Sequence, residues 1–205
     1  MRLYLVRHAQ SEANVRKILD TALPGPPLTE LGRQQAEALV ETFADEPIAA
    51  VYASRALRAR QTAGPLAAAR SADVQVLDGV HEVDVGDLEG RGDQEAIETY
   101  GKVVHQWTQG ALEVPLPGGE SGHDVRTRYV TAVDRLRERH DGTDEAVVLV
   151  SHGGAIRLGA EWLAPNVTAE IADTGLLPNT AYVRLDARPD GGWRCSEWAG
   201  IRVQD

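Results

Sequence analysis

Two histidines in this chain occupy the same kind of place. His8 follows a short apolar run at residues 3–6 and then Arg7. His152 follows a longer apolar, β-branched run at residues 146–150 and then Ser151. Neither is followed by more apolar chain, so each imidazole is expected at the carboxyl end of a buried strand. Ligands of open α/β sheets bind in the crevice outside those ends. A histidine there can also be a plain polar strand terminator, and two in one context weigh towards chemistry. Arg7, Gln10, Ser11 and Asn14 surround His8 in sequence. Gly153 and Gly154 follow His152 and leave the backbone bare at an expected helix start, where unpaired N–H groups and the helix dipole favour an anion. An arginine fork matches phosphate oxygens. Brought to one crevice, these residues would form a phosphate pocket.

The elements that must position them follow from periodicity. Strands are expected at residues 3–6, 48–53, 146–150, 180–185 and 193–198, with a weaker one at 74–77. Thr29 is a candidate N-cap for an amphipathic helix to about Ala44, and Ser54 for the next helix, which Pro65 should kink or shorten. Helical material is expected between Asp93 and Gln109. Ser121 with Asp124 resembles a capping box before a helix that carries Val125, Tyr129, Ala132, Val133 and Leu136 on one face. A further helix runs from about Ala155 to Leu163. Strands alternating with helices imply an α/β layered fold with helices on both sheet faces. No repeat or linker interrupts the chain, and residues 1–205 read as one domain.

Composition narrows the function. Acidic residues outnumber basic ones 31 to 21 among 205 residues, for a net charge of -10. Such a field repels nucleic-acid backbones and anionic membranes, so neither is an expected partner. A single cysteine, Cys195, forbids an intramolecular disulfide and is expected to be an inert small hydrophobe in a strand. The N-terminus lacks a signal-peptide pattern and no run is long enough to span a bilayer, so a cytoplasmic location is the default. His81, His105, His123 and His140 show no metal-ligand spacing, and neither a metal nor a cofactor is expected. A homodimer is the default oligomer.

Residues 5–14, Leu-Val-Arg-His-Ala-Gln-Ser-Glu-Ala-Asn, resemble the signature of the histidine phosphatase superfamily, which includes the cofactor-dependent phosphoglycerate mutases. Ala9 departs from the glycine of that signature, and alanine does not readily adopt positive φ. The resemblance continues through residues 28–36 and through residues 54–63, where Arg58 falls on the second phosphate-binding arginine. It extends to residues 81–90, where Glu82 falls on the general acid, to residues 118–121, and to residues 148–154 around His152. Without the motif, Arg58 is one of several arginines beside Arg55 and Arg60, and Glu82 has Asp84 and Asp87 as rivals.

The resemblance implies a three-layer α/β/α fold with a mostly parallel central sheet, phosphoglycerate mutase-like. It implies that His8 attacks phosphorus and forms a phosphohistidine, while Arg7, Arg58 and His152 surround the phosphoryl oxygens. Glu82 would protonate the leaving oxygen and then activate water, which needs a raised pKa. Gln10, Asn14 and Gly153 are expected to touch substrate. Residues 90–118 supply only Arg91 and Lys102 as added cations, too few for a bisphosphorylated ligand. Hydrolysis of a small phosphorylated metabolite is therefore expected over mutase activity. A non-catalytic phosphate- or phosphoprotein-binding module would not need Glu82.

Overall fold

Strand β1 (Arg2–Arg7) lies parallel to β4 (Ala146–Ser151), and β4 to β2 (Ile48–Ala53). The computed structural model that shows this describes residues 1–172 and 177–204. β3 (Gln75–Val76) extends the parallel half beyond β2. On the other side of β1, β5 (Tyr182–Ala187), β6 (Trp193–Trp198) and β7 (Ile201–Arg202) add an antiparallel half. The order is β3-β2-β4-β1-β5-β6-β7.

Side chains alternate across this sheet as pleating requires. Leu3, Leu5, Val147 and Leu149 face one layer, which contains α5 (Gly122–Arg139) and α6 (Gly153–Leu163). Tyr4, Val6, Val148 and Val150 face the other, which contains α2 (Glu30–Thr42) and α3 (Leu57–Ala69). β1 and β4 are buried on both faces, which is why they read as continuous apolar runs. A third cluster packs α4 (Gln94–Thr108) over Val83, Val85 and Leu88, through Ala96, Val104 and Trp107. It covers one flank of the crevice at the strand ends.

Thr29 and Asp93 cap α2 and α4, and Ser121 with Asp124 closes a full capping box on α5. Two expectations are corrected. α3 begins after Ala56 with no side-chain cap, and Ser54 is otherwise engaged. α3 is also not shortened at Pro65 but runs through it to Ala69. The lost backbone bond, worth about 3 kcal/mol in a free helix, is offset by burial of Ala63, Leu66 and Ala67 against the sheet. β3 is two residues long, Gln75 and Val76, and both are exposed. The short elements α1 (Glu12–Arg16), α7 (Ala169–Ala172) and β7 lie outside the periodic expectations.

Candidate active site

The register of β1 on β4 pairs Val6 with Val150 and Arg7 with Ser151. The next residues out of the sheet therefore converge. The His8 N–H donates to the Ser151 carbonyl at 3.0 Å, and the rings of His8 and His152 lie edge-on, 5.2 Å between centroids. Both side chains are buried, as is Arg58, which α3 delivers from its first turn. Strand neighbours and the helix after β2 thus bring residues 8, 58 and 152 to one point.

Hydrogen bonds assign the imidazole tautomers. His8 Nδ1 lies 2.7 Å from the Ala9 carbonyl, which can only accept, so Nδ1 carries the proton. Nε2 is left with a lone pair, and the Arg58 Nε–H points at it from 3.2 Å. Arg58 Nη2 lies 3.3 Å from His152 Nδ1 and can only donate, so His152 carries its proton on Nε2, which donates to Ser54 Oγ at 2.7 Å. Burial, followed by the Arg58 charge, pushes His8 down to about 3 and His152 well below the usual imidazole value. Both rings are neutral at neutral pH, the form a nitrogen nucleophile requires.

Arg7 donates through Nη1 to the Leu177 carbonyl, while its buried Nε–H has no hydrogen-bond partner among the described residues. It faces Gly153, where an added Cβ would stand 3.2 Å from Nε. A buried donor left without an acceptor is costly unless something else fills the role.

Glu82 lies at the start of α6. Its carboxylate accepts from the Gly154 N–H at 3.1 Å, the Ala155 N–H at 2.9 Å and its neighbour Val83 N–H at 2.9 Å. The helix N-terminus after His152 is therefore not bare, as expected, but holds a carboxylate. Gly154 is required here: a Cβ would come within 2.6 Å of the Tyr100 hydroxyl and 2.8 Å of Glu82 Oε1. Arg128 of α5 fixes the segment bearing Glu82. Its guanidinium donates to the carbonyls of Gly79, His81 and Glu82 and pairs with Glu120 at 2.6 Å.

A cleft of about 680 Å³ opens over this cluster. Arg7, His8, Arg58, Glu82, Gly153, Gln10 and Asn14 all line it. His152 does not; it sits behind Arg58 and reaches the cleft only through that guanidinium. Asn14 spends its Oδ1 on the Ser11 N–H, in a capping box that opens α1, and on Asn179. Gln10 Oε1 accepts from Thr29 Oγ1. Arg91 pairs instead with Asp93 and Glu95 at the surface, and neither Arg91 nor Lys102 lines the cleft. Among the described residues, no three His, Cys, Asp or Glu side chains gather where they could hold a metal ion, and no helix is long and apolar enough to cross a membrane.

Sequence reasoning missed four residues. Asp20 binds Arg58 Nη1 through Oδ2 at 3.0 Å and Nη2 through its carbonyl at 2.9 Å. Asn179 donates to the His8 carbonyl at 2.8 Å. Ser54 holds His152, and Arg128 holds the Glu82 segment. Ser54 did stand out as a polar residue at a strand end, but as a cap; the others carry no sequence signal.

A three-layer α/β/α sheet whose strand-end histidines close on an arginine defines the phosphoglycerate mutase-like class of α/β enzymes. The chain belongs to the histidine phosphatase superfamily (branch 1), which it matches over residues 3–200. It is a histidine phosphatase by family and fold. The PE-PGRS family protein PE_PGRS11 of Mycobacterium tuberculosis is 31% identical over 97% of this chain, which spans 36% of that longer protein. Phosphoserine phosphatase 1 of Hydrogenobacter thermophilus is 33% identical, over 74% of this chain and 71% of its own. The solved mycobacterial glucosyl-3-phosphoglycerate phosphatase superposes with a TM-score of 0.81 at 27% identity, covering 98% of this chain and 99% of that one.

Proposed function

We propose that the protein is a metal-independent phosphomonoester hydrolase that works through a phosphohistidine on His8. The observation that carries this is the His8 tautomer: Nδ1–H is anchored on Ala9, and the Nε2 lone pair faces the Arg58 guanidinium. A phosphoryl group that displaces the Arg58 Nε–H from Nε2 meets a neutral nucleophile with a fork of donors beside it. The unpartnered Nε–H of Arg7 supplies one more donor.

In the first step the Nε2 lone pair forms the N–P bond as the P–O bond to the leaving group breaks. Glu82, on the cleft wall, delivers its carboxyl proton to the departing oxygen. In the second step Glu82 takes a proton from water, whose oxygen bonds to phosphorus. The N–P bond breaks, its electron pair returns to Nε2, and inorganic phosphate leaves. His152 keeps its Nε2 proton on Ser54 Oγ and accepts from Arg58 Nη2 through Nδ1, and so orients the guanidinium that meets the phosphoryl oxygens.

Hydrolysis rather than phosphoryl isomerisation is supported by the cleft's charges. Beyond Arg7 and Arg58, its lining supplies Lys17 as a further Lys or Arg cation. A bisphosphorylated ligand needs cations at both ends. The substrate is a small phosphomonoester, the class named for the phosphatase relatives above.

The test is turnover of an aryl phosphate in the presence of a chelator. Wild type should release phosphate, His8→Ala should lose all measurable turnover, and Glu82→Gln should keep aryl phosphate activity better than alkyl phosphate activity. Turnover unchanged in His8→Ala rejects the mechanism. Predominant isomerisation of phosphoglycerates in place of phosphate release makes the protein a mutase.

A further inference from the structure

We propose that Asp20 is a specificity-determining residue: its carboxylate, set in the cleft wall against the outer edge of Arg58, selects uncharged hydroxyl-bearing leaving groups and disfavours those with a second anionic group. This rests on the phosphomonoesterase reading above and goes on to name the substrate class.

Arg58 has two working edges. Nε and Nη2 face His8 and His152, where the phosphoryl group is transferred. Nη1 faces Asp20 Oδ2 at 3.0 Å. The phosphoryl group can therefore occupy the inner edge while Asp20 keeps the outer one. The leaving group, departing from the same phosphorus, runs out through a cleft that Asp20 also lines.

Asp20 is held in place rather than loosely tethered. The Leu19 N–H donates to the Arg91 carbonyl, and the Gly90 N–H donates to the Leu19 carbonyl. The N–H and hydroxyl of Thr21 and the N–H of Ala22 all donate to the Glu89 carboxylate. Gly92 permits this approach, since a Cβ there would stand 2.5 Å from the Lys17 carbonyl. The backbone on either side of Asp20 is thus fixed, and its carboxylate is held against Arg58 Nη1 at 3.0 Å.

Elsewhere on the wall, Thr21, Gln10 and Asn14 offer neutral polar groups, Ile18, Leu19, Val85, Ile97 and Tyr100 offer apolar surface, and the one further cation of the lining, Lys17, is exposed to solvent. A polyol or sugar can place carbon faces on the apolar side and hydroxyl donors on Asp20. A carboxylate or second phosphate in that place meets a like charge.

The experiment compares kcat/KM for glycerol 3-phosphate, phosphoethanolamine and 3-phosphoglycerate in wild type, Asp20→Asn and Asp20→Ser. These leaving groups bear neutral hydroxyls, an ammonium and a carboxylate. Ratios within one variant do not depend on the fraction correctly folded. Wild type should prefer the first two over 3-phosphoglycerate, and both variants should narrow that preference by about tenfold or more, as expected for removing one like charge. Asn, which keeps an oxygen for Nη1, should do so with the smaller loss on glycerol 3-phosphate. An equal fall for all three substrates would make Asp20 a positioning residue for Arg58 and overturn the proposal, as would an unchanged ratio. No His8-dependent turnover of any of the three would instead remove the phosphomonoesterase reading itself.

Discussion

The Nε–H of Arg58 lies 3.2 Å from Nε2 of His8, the nitrogen that carries the lone pair. The guanidinium therefore caps the proposed nucleophile at rest and gives up this one contact as a phosphoryl group enters. Its other nitrogens are held by Asp20 and His152, so the fork is already oriented for the charge that develops in the transition state.

Lysine cannot reproduce this contact pattern. Arg58→Lys keeps the charge near Asp20 but loses the planar fork that touches His8, His152 and Asp20 together. We expect kcat/KM to fall by about 10²–10³, the scale of losing a transition-state donor. Steady-state kinetics with an aryl phosphate checks it. A loss below tenfold would mean that the fork is not used.

Stability should fall in acid because of the two buried imidazoles. His8 is held at about 3, and His152 also well down, by burial and then by Arg58. In the unfolded chain both return to about 6.5. Between about pH 6.5 and pH 3 the unfolded state binds more protons than the native one, so stability declines as pH drops through that window. Above it these two groups add no slope. Urea midpoints measured across the window should fall more gently in His152→Gln than in wild type, and parallel slopes would contradict the assignment.

Ser54→Ala removes the hydroxyl that accepts the His152 Nε2 proton at 2.7 Å in a fully buried setting. The lost hydrogen bond should cost about 1–2 kcal/mol of stability. It also frees the His152 ring that holds Arg58 Nη2, so kcat should fall by about tenfold or more while the fold is kept. Thermal unfolding and kcat measured together separate the two effects.

Arg128→Ala should act on Glu82 at a distance. It strips donors from the carbonyls of Gly79, His81 and Glu82 and leaves Glu120 without its partner at 2.6 Å. Breaking such a largely buried pair should destabilise by about 3 kcal/mol. If Glu82 loses its position as proton donor, kcat should fall further for alkyl phosphates, whose leaving oxygens need the proton, than for aryl phosphates. Equal losses on both would show a purely structural role.

The strands at residues 48–53 and 193–198 were legible to the residue, because their burial leaves a continuous or alternating apolar record. Caps at Thr29 and Ser121 were legible because capping is local chemistry between residues a turn apart. Ser54 was misread for the same reason. A serine at a strand end looks like a cap, and only the approach of His152, 98 residues later, gives its hydroxyl other work. That α3 continues past Pro65 was not legible, because a helix-breaking residue is a local signal and the packing that lets the helix run on is not.

The sequence by itself determined which side chains could carry the chemistry. His8, Arg58, Glu82 and His152 lie in motifs whose residue types and order match the superfamily, and the strand runs before the two histidines place them at a sheet edge. Only the tertiary structure decided what surrounds them. The register of β1 on β4 sets the two rings side by side, α6 turns its first N–H groups onto Glu82, and a loop braced by Glu89 presents Asp20 to Arg58. Those contacts join residues far apart in the chain. Their strength comes from distance, direction and exclusion of water, none of which is written in any local stretch of sequence.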